Sequence, residues 1–96
     1  MKTIIIDDEH RARRILKTLL EEYCPYIEIC ALAEDVPSGV KAIQRYQPDL
    51  VFLDIEMPNY SGFQLFDFVD PVNFEVILVT AYSEYALKAF YVSAIG

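Results

Sequence analysis

Glycine is scarce in this chain. The only ones are Gly39, Gly62 and Gly96. No two lie close enough to build a GxGxxG turn or a Walker loop, so the usual nucleotide cradles are excluded. Cysteine is as sparse: Cys24 and Cys30 form no CxxC, and His10 is the sole histidine. A Cys/His zinc site is therefore unavailable, and with no export signal in view the two thiols read as reduced and cytosolic. Basic side chains number 8 against 15 acidic ones, a formal charge of −7. That balance argues against a grip on nucleic acid, which needs clustered Lys and Arg. Wholly apolar runs last only a few residues, so no segment spans a membrane. The opening Met1-Lys2-Thr3-Ile4-Ile5-Ile6 meets Asp7 and Asp8 too soon to be a secretory signal. A cytoplasmic location is the resulting expectation. A Ser-His-Asp triad would need His10, which has no nucleophile elbow near it.

What the chain has is apolar residues, 54% of its 96, with 24% charged. That is one small globular domain with a core of limited depth. Thr3 to Ile6 is an apolar run without alternation, as in a strand buried on both faces of a parallel sheet. From Glu9 to Tyr23 the period becomes helical, with Ala12, Ile15, Leu16, Leu19, Leu20 and Tyr23 as the apolar stripe, and Pro25 stops it. Ile27 to Ala33 reads as a second strand. Asp35 is placed to cap a second helix over Val36 to Tyr46, closed before Pro48. Leu50 to Leu53 is a third buried strand that ends at Asp54. Glu56 to Gly62 reads as a loop, Gly62 to Val69 as a short helix, Val76 to Val79 as a fourth strand ending at Thr80, and Glu84 to Tyr91 as a fourth helix. This alternation implies parallel strands joined by right-handed crossovers. Ligands in such α/β sheets bind at the carboxyl ends of the strands, which singles out Asp7, Asp8, Asp54 and Thr80.

Each of these residues has an ordinary structural use. Asp8 could cap a helix, Asp54 could turn the chain, and Thr80 could simply end a strand. Together they mean more. If the first and third strands are neighbours, three carboxylates crowd one pocket about 5 Å across. Such crowding raises a pKa or demands a cation. Oxygen-only donors suit Mg²⁺, and a carboxylate beside Mg²⁺ can attack a phosphoryl group.

With Asp7-Asp8 after the first strand, Asp54 in Leu-Asp-Ile-Glu-Met-Pro, Gly62 shortly after, and Thr80-Ala81 after the fourth strand, the chain resembles a response-regulator receiver domain. The resemblance covers the whole chain. It implies an α/β fold, the flavodoxin-like, CheY-like doubly wound parallel sheet. The stretch from Thr80 to Ile95 is most similar to the LytTR-type regulators. The resemblance implies a signalling acceptor rather than an enzyme. Asp54 would take a phosphoryl group from a sensor histidine kinase. Asp8 would ligate Mg²⁺ directly, Asp7 mainly through water, and the backbone carbonyl of Glu56 would be a further ligand. Thr80, followed by Ala81, would contact the phosphoryl oxygens and switch.

The family pattern also has a fifth strand carrying a lysine, and a fifth helix. Neither is matched within residues 1–96, and Lys88 falls inside the fourth helix instead. The expectation is a receiver cut short, with no catalytic lysine and no effector domain, DNA being bound only through an absent C-terminal domain. An exposed fourth strand would then favour a homodimer or larger species. The alternative function is a non-signalling module that only self-associates. A haloacid-dehalogenase-type hydrolase would need an Asp where Glu56 stands, and in a flavodoxin Asp7-Asp8-Glu9 would repel the flavin phosphate. Arg11, Arg13, Arg14 and Lys17 read as a solvated helix face, with kinase docking as a second use. Tyr82, Tyr85, Phe90 and Tyr91 read first as packing and second as a dimer face.

Overall fold

A computed structural model describes residues 1–57 and 60–79. Its main sheet has four parallel strands. They are β1 (Lys2–Ile6), β2 (Glu28–Ala33), β3 (Leu50–Asp54) and β6 (Glu75–Val79), in the order β2-β1-β3-β6. Helix α1 (His10–Tyr23) links β1 to β2, and α2 (Val36–Tyr46) links β2 to β3. The order is that of a doubly wound α/β fold, with β1 and β3 side by side where the winding reverses.

Strands β1 and β3 occupy the centre because they are apolar on both faces. Ile4 and Ile6 of β1 join Val51 and Leu53 of β3, Val76 and Leu78 of β6, and Val36 and Ile43 of α2 in one buried cluster. Ile5, Leu50 and Phe52 turn to the other face and meet Leu20 of α1. The alternate residues of each strand thus serve opposite layers. Helix α2 begins as its sequence implies. Asp35 accepts from the Ser38 N–H at 2.8 Å, and the Ser38 hydroxyl accepts in return from the Asp35 N–H at 3.3 Å, a reciprocal cap. Gln47 closes the helix in the left-handed region, φ 50°, and Pro48 follows.

Three expectations need correction. The loop from Glu56 to Gly62 carries a small antiparallel hairpin, β4 (Glu56–Met57) paired with β5 (Tyr60–Ser61). The helix after it is a 3-10 helix over Gly62–Asp67, capped by Ser61 and Gln64. Its tighter winding fits a short segment that seats Leu65 in the core. The apolar stripe of α1 is only partly used. Leu16 and Leu20 pack on the sheet, whereas Ile15, Leu19 and Tyr23 are 53%, 47% and 70% exposed. The latter three form the adjacent i, i+4 row, rotated by about 100° from the packed one. The remaining strand and helix bounds differ from the expected ones by one residue at most. Thr80, Ala81, the expected fourth helix and its aromatic cluster lie outside the described residues. Among the described residues no helix is long and apolar enough to cross a membrane.

Candidate functional site

The site forms where β1 and β3 end. Ile6 is in register with Leu53, so the next residues, Asp7 and Asp54, emerge beside each other at the carboxyl edge of the sheet. Asp8 follows on the turn into α1. One carboxylate oxygen from each of Asp7, Asp8 and Asp54 lies within 4.8 Å of the others. Asp7 and Asp54 each keep only 9% of their surface exposed, and Asp8 is half-buried.

Two short turns hold the acidic pair in matching fashion. The Glu9 N–H donates to Asp7 Oδ1 at 2.9 Å, and the Glu56 N–H donates to Asp54 Oδ1 at 3.1 Å. The Asp7 N–H donates to the Ala33 carbonyl at 2.9 Å, which ties this loop to β2. Burial, together with the neighbouring Asp7 charge, pushes the Asp54 carboxyl up to about 7. The Glu56 N–H opposes that rise, while a hydrogen bond shared with Asp8 and the Asp8 charge add to it. The pocket thus stores repulsion that a proton or a cation relieves. Carboxylate oxygens in a half-open pocket are hard donors, and their chemistry fits Mg²⁺ or a similar ion.

Of the residues singled out from sequence, the structure gathers the carboxylates of Asp7, Asp8 and Asp54, and it places the Glu56 N–H, rather than its carbonyl, in contact with Asp54. Two further residues shape the site. Gly62 donates its N–H to the Ile55 carbonyl at 2.8 Å, and a Cβ built on it would stand 2.1 Å from the backbone oxygen of Asp54 and 2.9 Å from its carbonyl carbon. Only glycine allows the hairpin to close this tightly against the strand end. Gly62 stands out in the sequence as part of a motif, but its contact requires the hairpin to be known. The other is Arg13. Arg11 and Arg14 are exposed, as a solvated face requires, but Arg13 and Lys17 are half-buried, and Arg13 Nη1 donates to the backbone carbonyl of Asp7.

Comparison with known proteins agrees with this geometry. Residues 3–96 match the family of the response regulator receiver domain. An uncharacterized response regulatory protein of Vibrio cholerae is 45% identical over 91 residues, covering 94% of this chain and 38% of that protein. The transcriptional regulatory protein BtsR of Escherichia coli K12 is 38% identical with the same two coverages. The chain thus spans under two-fifths of the length of these relatives. Among solved structures, the response regulator TrrA of Thermotoga maritima, in complex with Mg²⁺ and beryllium fluoride, superposes with a TM-score of 0.77. It is 33% identical over 96% of this chain and 80% of its own. A LuxR-family DNA-binding response regulator of Staphylococcus aureus superposes at 0.78 with 30% identity, over 94% of this chain and 78% of its own. The carboxylate pocket, the strand order and these similarities lead to one conclusion: the chain belongs to the response-regulator receiver family, the receiving domains of two-component signalling.

Proposed function

We propose that Asp54 is the phosphoacceptor, served by Mg²⁺ held on Asp7 and Asp8, with a sensor histidine kinase as donor. The observation that carries this reading is the meeting of three carboxylates at the ends of adjacent strands, with the Asp54 carboxyl pushed up to about 7. An Asp54 oxygen attacks the phosphorus of a phosphohistidine. The O–P bond forms as the N–P bond breaks, and the electron pair leaves with the imidazole nitrogen, which takes up a proton. The Glu56 N–H donates to Asp54 Oδ1 and holds the carboxylate in orientation. A bound Mg²⁺ would supply positive charge against the crowded carboxylates and the phosphoryl oxygens. Asp8, Asp7, Asp54 and the Glu56 carbonyl would provide its oxygens, and Thr80, with Ala81 beside it, the contact to the phosphoryl group.

The domain acts as a signalling switch in this reading. The longer relatives, one of them a transcriptional regulatory protein, support an output domain that acts in transcription, and the likeness of the stretch from Thr80 to Ile95 to LytTR-type regulators carries the reading that this domain is of the LytTR type and binds DNA. Self-association is a second reading, favoured by β6. Among the described residues it pairs only with β3, and Ile77 on it is 39% exposed, so its outer edge could pair with a second copy.

An NMR titration with Mg²⁺ and then beryllium fluoride, a phosphoryl mimic, tests the main reading. The amides of Asp8, Asp54 and Glu56 should respond saturably. The metal response should largely vanish in Asp8→Ala and the fluoride response in Asp54→Asn. Unchanged responses in both variants would overturn it.

A further inference from the structure

We propose that Arg13 is a positioning residue for this pocket: its guanidinium fixes the Asp7–Asp8 peptide and so aims the Asp8 carboxylate at the cation site. The inference rests on the metal-dependent reading above.

The turn from β1 into α1 consists of Asp7, Asp8 and Glu9. Asp7 is already tied down at its N–H, by the Ala33 carbonyl, and at its carboxylate, by the Glu9 N–H. Its carbonyl is the remaining free end. That oxygen belongs to the peptide unit leading into Asp8, and turning it would swing the Asp8 side chain away from Asp54. Arg13 Nη1 donates to this oxygen. The arm comes from the first turn of α1, where the Arg13 N–H donates to the Glu9 carbonyl at 3.0 Å. The side chain therefore reaches back across the helix start. Its second amino nitrogen, Nη2, lies 3.4 Å from His10 Nδ1, which gives the planar fork a second point of contact. A charged donor on a carbonyl is a strong hydrogen bond, and partners that orient a ligand without touching the ion commonly carry roughly ten- to a hundredfold of metal affinity.

Electrostatics and positioning give opposite signs here. A guanidinium near a cation site repels the cation, so by Coulomb's law alone its removal tightens binding. Positioning requires that its removal loosens binding. Arg13→Met keeps the aliphatic stem without charge or donor. Arg13→Lys keeps the charge and one donor.

The test is a calorimetric titration of the whole chain with Mg²⁺ alone, joined to amide hydrogen exchange of the metal-free protein. Mg²⁺ should bind roughly tenfold more weakly to Arg13→Met, and Arg13→Lys should recover most of the loss. In metal-free Arg13→Met the Asp8 and Glu9 amides should exchange faster while those of Val51 to Leu53 keep wild-type protection, which separates a local effect from general loosening. Equal or tighter Mg²⁺ binding in Arg13→Met, with wild type binding normally, overturns the role of Arg13 and leaves the metal-dependent reading intact. Absence of Mg²⁺ binding in wild type overturns both.

Discussion

Replacing Asp54 by Asn should stabilise the metal-free domain, by an amount that grows as pH rises from about 4 to about 7. In the fold, burial and the Asp7 charge raise the Asp54 carboxyl from an ordinary 3.8 to about 7. The sign follows from linkage. Between those values the unfolded chain releases the Asp54 proton while the folded chain retains it, so stability falls as pH rises from about 4 to 7. Above about 7 the whole cost is present, and below about 4 it is absent. At about 1.4 kcal/mol for each pH unit between the two values the full cost is about 4 kcal/mol. The half-buried Asp8 beside Asp54 brings water to the cluster, and screening there reduces the figure to about 2 kcal/mol. Asn keeps the oxygen that accepts from the Glu56 N–H, so the turn survives while the charge is lost. Urea melts in EDTA at pH 4, 6 and 8 measure the effect. Asp54→Asn should match wild type at pH 4 and exceed it by about 2 kcal/mol at pH 8, a rise in Tm of roughly 10 °C for a domain this small. Parallel curves at every pH would refute the reasoning, because they would mean that Asp54 ionises in the fold as it does in the open chain.

Gly62→Ala should cost roughly 1–3 kcal/mol in a urea melt and weaken the Mg²⁺ response, since its Cβ would meet the Asp54 backbone oxygen at 2.1 Å and that oxygen cannot move without moving the site. Asp35→Ala should cost about 1 kcal/mol at neutral pH through the lost cap of α2. The hydroxyl and N–H of Ser38 hold the Asp35 carboxyl below its ordinary value. The advantage of wild type over this variant should therefore shrink as pH falls through that lowered value in acid melts.

The buried central strands and the aspartates at their ends were legible because each rests on a local pattern, whereas the order of the strands is implied only by the resemblance to receiver domains. Ile4 to Ile6 and Leu50 to Leu53 are unbroken apolar runs, the pattern of a strand covered on both faces. Both runs end in aspartate, and the pairing of β1 with β3 in the structure brings the carboxylates together. The hairpin at Glu56–Ser61 was not legible, since strands of two residues carry no periodicity. The contact of Gly62 with Asp54 depends on that hairpin. The fate of the α1 stripe depends on how far the sheet extends beneath the helix, which the spacing of Ile15, Leu19 and Tyr23 does not encode. Nothing in the sequence separates Arg13 from Arg11, Arg14 and Lys17, because charge on a helix usually faces water. The half-buried bond of Arg13 to the Asp7 carbonyl is a tertiary fact.

The central claim is that Asp54 accepts a phosphoryl group in a pocket that needs a divalent cation. Intact-mass analysis after incubation with acetyl phosphate, followed by peptide mapping, tests it most directly. With Mg²⁺ present, the wild-type chain should gain one phosphoryl increment, mapped to Asp54 and lost at alkaline pH as an acyl phosphate would be. EDTA or Asp54→Asn should abolish it. An increment that persists in Asp54→Asn, maps to another residue, or forms equally without a divalent ion would contradict the account.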